Sequence, residues 1–142
     1  MSRCRLIPIH NYMTPSVLFA DTQETVLHAY ERLREAHIQQ LPVLDDGKLV
    51  GIVSAADLTL VEHLPREATA SIRVGAIMKS EIYAVSPDAA VDAVAREMAR
   101  NKYHAALVIA EGKASGVFTT TDALRALSDS LTDSLPNAAP ED

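Results

Sequence analysis

Two short polar motifs in this sequence pair a hydroxyl side chain with a carboxylate three residues later. Ser54 precedes Asp57, and Thr119 precedes Asp122, each after a short apolar run typical of a strand. A hydroxyl followed at this spacing by an acid commonly starts a helix, because each side chain can accept a hydrogen bond from the backbone N–H of the other. The simplest interpretation is that both pairs only cap helices.

The same pattern also suits a ligand. A helix N-terminus presents free backbone N–H groups and a partial positive charge, which favour a phosphate. A carboxylate at that point can accept hydrogen bonds from the two vicinal hydroxyls of a ribose. Helix capping and sugar-phosphate binding therefore stay open as alternatives for both pairs.

The two motifs belong to a duplicated segment. Residues 13–58 align without a gap on residues 78–123, which lie 65 positions further on, with seven identities. The identical pairs are Met13/Met78, Val26/Val91, Val43/Val108, Gly47/Gly112, Lys48/Lys113, Gly51/Gly116 and Asp57/Asp122. Such self-similarity indicates one structural unit present twice. Since a unit of roughly 60 residues buries little surface alone, we expect the two halves to pack on one another.

Periodicity predicts a helix, two strands and a second helix in repeat one. The first helix is expected to start at Asp21, which has an acid three residues later, and to continue to about residue 37. Two short runs, 41–44 and 49–53, follow as strands, and Gly47 between them supplies the positive φ of a hairpin turn.

Repeat two shows the same order. Ser86 is the expected N-cap of its first helix, with Pro87 in the first helical position. Strands are predicted at 106–109 and 114–118. A closing helix is expected from Ser54 to about residue 63 in repeat one, and from Thr119 to about residue 127 in repeat two. Apolar helix residues form either the core or a dimer face: Val26, Tyr30, Leu33, Val91, Val94 and Met98.

These patterns predict five segments. They are an N-terminal arm over 1–8, the first repeat over 9–62, a linker over 63–73, the second repeat over 74–127 and a disordered acidic tail over 128–142.

Composition excludes several classes of protein. The net charge of −6 and the 4% aromatic content disfavour nucleic-acid binding, which needs a basic patch and stacking rings. No apolar stretch approaches the roughly 20 residues of a membrane span. The N-terminal apolar run is too short for a signal peptide, and the single cysteine, Cys4, allows no intrachain disulfide. We therefore expect a cytoplasmic protein.

The strand, strand, helix order resembles the CBS domain, named after cystathionine β-synthase, and the tandem resembles a Bateman module. The resemblance covers about residues 9–125. It rests on the opening Met13-Thr14-Pro15, on Leu41-Pro42-Val43-Leu44-Asp45, and on the repeated Gly-x-x-Ser/Thr-x-x-Asp at 51–57 and 116–122. It implies an α+β fold (α/β by some schemes) in which two β-β-α repeats pack with pseudo-two-fold symmetry. It also implies that two chains pair into a flat homodimer.

The resemblance further implies that an adenine nucleotide binds in the cleft between the repeats. For the site built on repeat two, it assigns sugar and phosphate contacts to Thr119, Thr121 and Asp122, and a phosphate contact to His104. The base contacts that it assigns to this site are Thr14, Ser16, Val53 and Ser54.

The resemblance makes the site built on repeat one the weaker of the two. Ser54 and Asp57 are present, but Ala56 replaces a hydroxyl and Gln39 stands where repeat two has His104. The base cradle of that site would consist of Lys79, Glu81 and Phe118.

The sequence therefore predicts a non-catalytic regulatory sensor that binds AMP, ADP or ATP, with no catalytic cofactor, no metal site and an unidentified protein partner. S-adenosyl and NAD-type ligands stay open. The alternative is a ligand-free dimerising adaptor with decayed sites. A small hydrolase is disfavoured, because no nucleophile, base and orienting group occur together.

Overall fold

The structure, a computed structural model, describes residues 7–15 and 18–134 of the chain. It divides into two compact units. Unit 1 comprises Met1–Pro15, Tyr83–Ala110 and Gly116–Asp142, and unit 2 comprises Ser16–Ile82 and Glu111–Ser115. Each unit thus combines the main part of one repeat with the opening segment of the other repeat.

The described residues form seven strands and five α-helices. The strands are β1 (Thr14–Pro15), β2 (Ala20–Asp21), β3 (Gln40–Asp45), β4 (Lys48–Ser54), β5 (Ala84–Val85), β6 (Ala105–Ala110) and β7 (Lys113–Thr119). The helices are α1 (Val26–Ala36), α2 (Arg66–Thr69), α3 (Val74–Ile77), α4 (Val91–Asn101) and α5 (Thr120–Ser134). Two short 3-10 helices cover Ile9–Asn11 and Asp57–Glu62. This mixture of small sheets and helices confirms the predicted fold class.

Unit 2 contains a three-stranded sheet in the order β2-β3-β4. β3 and β4 are antiparallel, and β2 is parallel to β3. Val26, Ala29 and Leu33 recur at helical spacing on α1 and share one buried core with residues of the sheet. The buried core of the unit consists of Ala20, Val26, Ala29, Leu33, Leu41, Val43, Val53, Leu58 and Val74.

Unit 1 contains a four-stranded sheet in the order β1-β7-β6-β5. β1 is antiparallel to β7, with Thr14 opposite Val117, and β5 is parallel to β6. Pairing with β7 therefore fixes Thr14 beside the end of the strand that leads into α5. The buried core of the unit consists of Ile9, Val94, Met98, Ala106, Val108 and Phe118.

The repeated methionine and glycine meet in space. A Cβ atom at Gly116 would lie 2.7 Å from Met13 Sδ and 2.8 Å from the Thr14 carbonyl oxygen. A Cβ atom at Gly51 would lie 2.6 Å from Met78 Sδ and 2.9 Å from the Lys79 carbonyl oxygen. Only glycine allows the opening segment of one repeat to approach the strand of the other this closely.

The two hairpin turns adopt the predicted conformation. Gly47 and Gly112 have φ values of 82° and 79°. The residues before them, Asp46 and Glu111, have φ of 53°. Positive φ at both central residues is typical of the two-residue turn that matches strand twist, so the turn prediction is confirmed.

The predicted starts of the first helices are wrong by four or five residues. Thr25 is the N-cap of α1, and its side chain accepts a hydrogen bond from the His28 N–H group. Asp21 instead accepts a hydrogen bond from the Gln23 N–H group at 2.9 Å, and Ser86 accepts one from the Asp88 N–H group at 3.1 Å. Each side chain closes a local turn before the helix, a common alternative to capping.

The ends of the repeats also differ from the prediction. The closing helix of repeat one is a 3-10 helix of six residues, Asp57–Glu62. α5 continues to Ser134, so the prediction of disorder is wrong for 128–134, while 135–142 lie outside the described residues. Helix continuation is favoured by the i,i+4 pair Leu127 and Leu131 and by the absence of glycine and proline within α5.

The expected linker is partly helical. It contains the single turn α2, in which Thr69 is fully buried and donates to the Arg66 carbonyl oxygen at 3.1 Å. None of the helices among residues 7–15 and 18–134 combines the length and apolar character that a membrane crossing requires.

Candidate functional site

Asp122, at the start of α5 in unit 1, is the one acidic residue that is buried among the described residues, with 2% of its surface exposed. Its Oδ2 atom accepts hydrogen bonds from the Thr119 N–H group at 2.9 Å and from the Thr119 hydroxyl at 3.1 Å. The Asp122 N–H group donates to Thr119 Oγ1 at 3.3 Å. The reciprocal cap predicted from the spacing is therefore present, and burial distinguishes this carboxylate from an ordinary surface cap.

Two further side chains reach the same carboxylate. Arg125, one turn along α5, donates from Nη2 to Asp122 Oδ1. Thr14 Oγ1 lies 3.5 Å from both carboxylate oxygens, at the outer limit of a hydrogen bond. Side chains from β1, β7 and α5 thus converge on Asp122 within unit 1.

His104 lies at the same end of the unit. Its carbonyl oxygen accepts from the Thr120 N–H group at 3.2 Å and from the Thr120 hydroxyl at 3.3 Å, which ties the residue to the first turn of α5. His104 and Thr121 are both exposed. The structure therefore gathers Thr14, His104, Thr119, Thr121 and Asp122 around the start of one helix.

The equivalent carboxylate in unit 2 has different surroundings. The Ser54 N–H group donates to Asp57 Oδ2 at 3.0 Å, and the Asp57 N–H group donates to Ser54 Oγ at 3.1 Å, so the same reciprocal cap occurs. The Asp57 side chain is 19% exposed, and Lys79 Nζ lies 3.3 Å from its Oδ1 atom. The short 3-10 helix that follows provides little of the dipole that a longer helix would offer an anion.

Two of the residues assigned to base contacts are core residues. The side chains of Val53 and Phe118 are fully buried in the cores of unit 2 and unit 1, respectively. Any contact that they made with a ligand would therefore involve the main chain. Ser16 lies outside the described residues.

Unit 2 also contains a surface pocket of about 370 Å³ that the sequence did not predict. Its lining residues are Tyr30, Leu33, Arg34, His37, Ile38, Gln39 and Ala55. The Tyr30 hydroxyl donates to Glu62, and this hydrogen bond raises the pKa of Tyr30. The Arg34 guanidinium lies over the Tyr30 ring, 5.6 Å from its centre, an i,i+4 pairing that helical spacing could have indicated.

The ion pairs of the two carboxylates were also missed. Arg125 follows Asp122 by three residues, and this i,i+3 spacing on a predicted helix was the available signal. Lys79 is remote from Asp57 in sequence, and the family resemblance placed it in the same site as a base contact and not as the ion-pair partner of Asp57. Within 7–15 and 18–134, no three His, Cys, Asp or Glu side chains are placed to share a metal ion.

The chain belongs to the CBS domain family. The family profile, described as CBS domain, matches residues 9–63 and 74–129, so both repeats are members and the chain is a tandem CBS pair. Such pairs are generally regulatory ligand-binding modules.

Two relatives match most of this chain. The uncharacterized protein YlbB of Bacillus subtilis (strain 168) is 29% identical over 116 residues, which cover 80% of this chain and 78% of YlbB. The uncharacterized protein MJ0188 of Methanocaldococcus jannaschii is 25% identical over 120 residues, which cover 84% of this chain. The match spans only 43% of the length of MJ0188.

A solved structure shares the fold. The crystal structure of CBSX2, a CBS-pair protein of Arabidopsis thaliana, in complex with AMP superposes with a TM-score of 0.70 and 28% sequence identity. The superposition covers 87% of this chain and 98% of that one.

Proposed function

We propose that this chain is a regulatory sensor that binds an adenine nucleotide at Asp122 of unit 1. The observation that carries the proposal is a buried carboxylate at the N-terminus of a 15-residue helix, surrounded by the hydroxyls of Thr14 and Thr119. The CBSX2 complex with AMP supports the choice of ligand, since that protein is 28% identical to this chain.

The chemistry of each site residue determines the part of the nucleotide that it is proposed to contact. Asp122 is proposed to accept hydrogen bonds from the ribose hydroxyls, because an ionised carboxylate only accepts and matches a pair of donors. The first turn of α5, with Thr119 and Thr121, and the imidazole of His104 are proposed to contact phosphate, because free N–H groups and a basic ring favour an anion. Thr14, Ser16, Val53 and Ser54 stay proposed as base contacts.

A second site of lower affinity is proposed at Asp57. Lys79 already pairs with this carboxylate, and Ala56 and Gln39 provide neither the hydroxyl nor the imidazole that repeat two has. We expect this site to bind more weakly than the Asp122 site, not to bind at all, or to bind a ligand with less charge.

Sensing requires that the ligand distinguish two conformations, because a ligand shifts an equilibrium only by its differential affinity. Micromolar binding corresponds to about 8 kcal/mol. Coupling of about 1–3 kcal/mol between sites is typical of such switches. Only a fraction of the binding energy therefore needs to reach the partner protein.

The first prediction concerns ligand-induced stability. A nucleotide at 100 times its dissociation constant stabilises the folded state by about 2.7 kcal/mol, which raises the melting temperature by roughly 5–10 °C. Thermal-shift measurements with AMP, ADP, ATP, S-adenosylmethionine and NAD would identify the ligand, with GMP as the control for the base. No shift with any of the adenine compounds would favour the ligand-free adaptor instead.

We also propose that two copies of the chain pair through α5. Four of the six helix residues predicted to form either the core or a dimer face are buried within their own units: Val26 0%, Leu33 3%, Val94 2% and Met98 4% exposed. By contrast, Leu124 and Leu127 of α5 are 60% and 52% exposed and lie three residues apart on one helix face. Neighbouring large apolar side chains that stay exposed together are typical of an interface.

The second prediction tests this pairing. Leu127→Glu is expected to convert a dimer into a monomer, because a buried unpaired charge at an interface is strongly unfavourable. Mass measurement by light scattering during gel filtration would detect the change, and Leu64→Glu, at an exposed leucine of unit 2, provides the control. A wild-type protein that elutes as a monomer at high concentration would contradict the proposal.

A further inference from the structure

The largely exposed Arg125 side chain contacts the buried Asp122 carboxylate. The Asp122 side chain is 3% exposed, the Arg125 side chain is 54% exposed, and Arg125 Nη2 donates to Asp122 Oδ1. Oδ2 already accepts two hydrogen bonds from Thr119. Besides the guanidinium, Oδ1 has only the long 3.5 Å contact with Thr14 Oγ1 among the described residues, so a ribose hydroxyl that binds Oδ1 competes with Arg125.

Unit 2 lacks this arrangement. Leu60 occupies the position in repeat one that Arg125 occupies in repeat two. The cation beside Asp57 is Lys79, which comes from the chain segment equivalent to Thr14 and not from the helix. Asp57 also keeps 19% of its side chain exposed. A solute can thus approach Asp57 without displacing a residue of the following helix, whereas it meets Arg125 at Asp122.

We infer that Arg125 is a latch that a nucleoside must displace before its ribose hydroxyls bind Asp122. The inference rests on the proposed nucleotide site and adds a residue that sets its affinity. A charge-assisted hydrogen bond from a guanidinium is stronger than one from a neutral hydroxyl, so the latch competes with the ligand. Without Arg125, Asp122 Oδ1 would lose its charged donor in a buried site, which is unfavourable, so the latch opens only as the ligand hydroxyls replace that donor.

The exposure of Arg125 makes this exchange feasible. More than half of its side chain is already exposed, so moving the guanidinium fully into solvent breaks the one hydrogen bond to Asp122. Removal of the latch should therefore have two effects of opposite sign. The ligand-free protein loses stability, because Asp122 loses a donor, while the affinity for a nucleoside rises, because no competitor remains.

The third prediction uses adenosine, which has no phosphate that Arg125 could contact. In titration calorimetry, Arg125→Met is expected to bind adenosine about tenfold more tightly than the wild type, equivalent to ~1.4 kcal/mol. The melting temperature of this variant without ligand is expected to fall. Arg125→Lys, which keeps a cation, should bind close to the wild-type affinity. Arg100→Met removes a comparable i,i+3 pair with Glu97 on the surface of α4 and should change neither quantity.

The outcomes separate the latch from the nucleotide site. If the wild type binds adenosine and Arg125→Met binds it equally or more weakly, the latch is contradicted while the nucleotide proposal stands. If Arg125→Met binds adenosine and the wild type does not, the latch is supported, because Arg125 then prevents binding altogether. If neither protein binds adenosine or AMP, both proposals are overturned.

Discussion

Asp122→Ala is expected to weaken the binding of an adenine nucleotide by about tenfold to a hundredfold. The loss corresponds to a net cost of one charge-assisted hydrogen bond to the ribose, worth about 1.5–3 kcal/mol. The substitution also removes the reciprocal cap with Thr119, at a cost of about 1 kcal/mol in stability. Titration calorimetry for affinity and thermal unfolding for stability would measure the two effects separately.

Asp57→Ala is the matched control for this variant. It removes the same reciprocal cap, with Ser54 in place of Thr119, so its effect on stability should be similar. Its effect on nucleotide affinity should be less than about threefold, because the higher-affinity site is proposed at Asp122. If both substitutions lower the melting temperature and leave the affinity unchanged, the two carboxylates only cap helices.

The sequence predicted both β-hairpin turns correctly, but it placed the starts of the first helices too early. A two-residue hairpin turn requires positive φ at both central residues, and glycine adopts positive φ readily. An Asp-Gly or Glu-Gly pair between two apolar runs is therefore a strong indication of such a turn. Asp21 and Ser86, by contrast, can either cap a helix or close a turn before it, and the spacing of neighbouring residues does not decide between them. Both closed a turn in this chain.

The candidate site was predictable only in part. The Ser/Thr and Asp pairs were visible because a cap is a local interaction, and local spacing determines it. The full burial of Asp122 and the partial exposure of Asp57 were not predictable, because burial depends on which segment covers the helix start. In unit 1 that segment includes Thr14, which is more than one hundred residues away along the chain.

The opening segments explain why the repeats are both similar and unequal. Each carries a methionine that covers the glycine of a strand, and that contact is the same in the two units. The next residue differs: Thr14 brings a neutral hydroxyl to Asp122, whereas Lys79 brings a charge to Asp57. Duplication therefore kept the packing contact, and divergence at the adjacent position changed the chemistry of the carboxylate.

The contact between Gly116 and the opening segment of repeat one predicts the effect of Gly116→Ala. This substitution is expected to destabilise the protein by about 1–3 kcal/mol, as inserted methyl groups in well-packed sites do. The added Cβ would lie 2.8 Å from the Thr14 carbonyl oxygen, and a backbone atom cannot move without displacing β1. Displacing β1 moves Thr14 away from Asp122, so nucleotide affinity should fall as well. Denaturant unfolding and calorimetry would measure the two losses.

Gly51→Ala separates these two effects, because it makes the equivalent clash in unit 2, 2.9 Å from the Lys79 carbonyl oxygen. Its loss of stability should match that of Gly116→Ala, while nucleotide affinity at Asp122 should change little. Gly112→Ala, where a Cβ meets nothing within 4 Å, should lose only the ~1 kcal/mol that a positive φ imposes on alanine. Equal losses of affinity in Gly51→Ala and Gly116→Ala would mean that the position of Thr14 does not control the site.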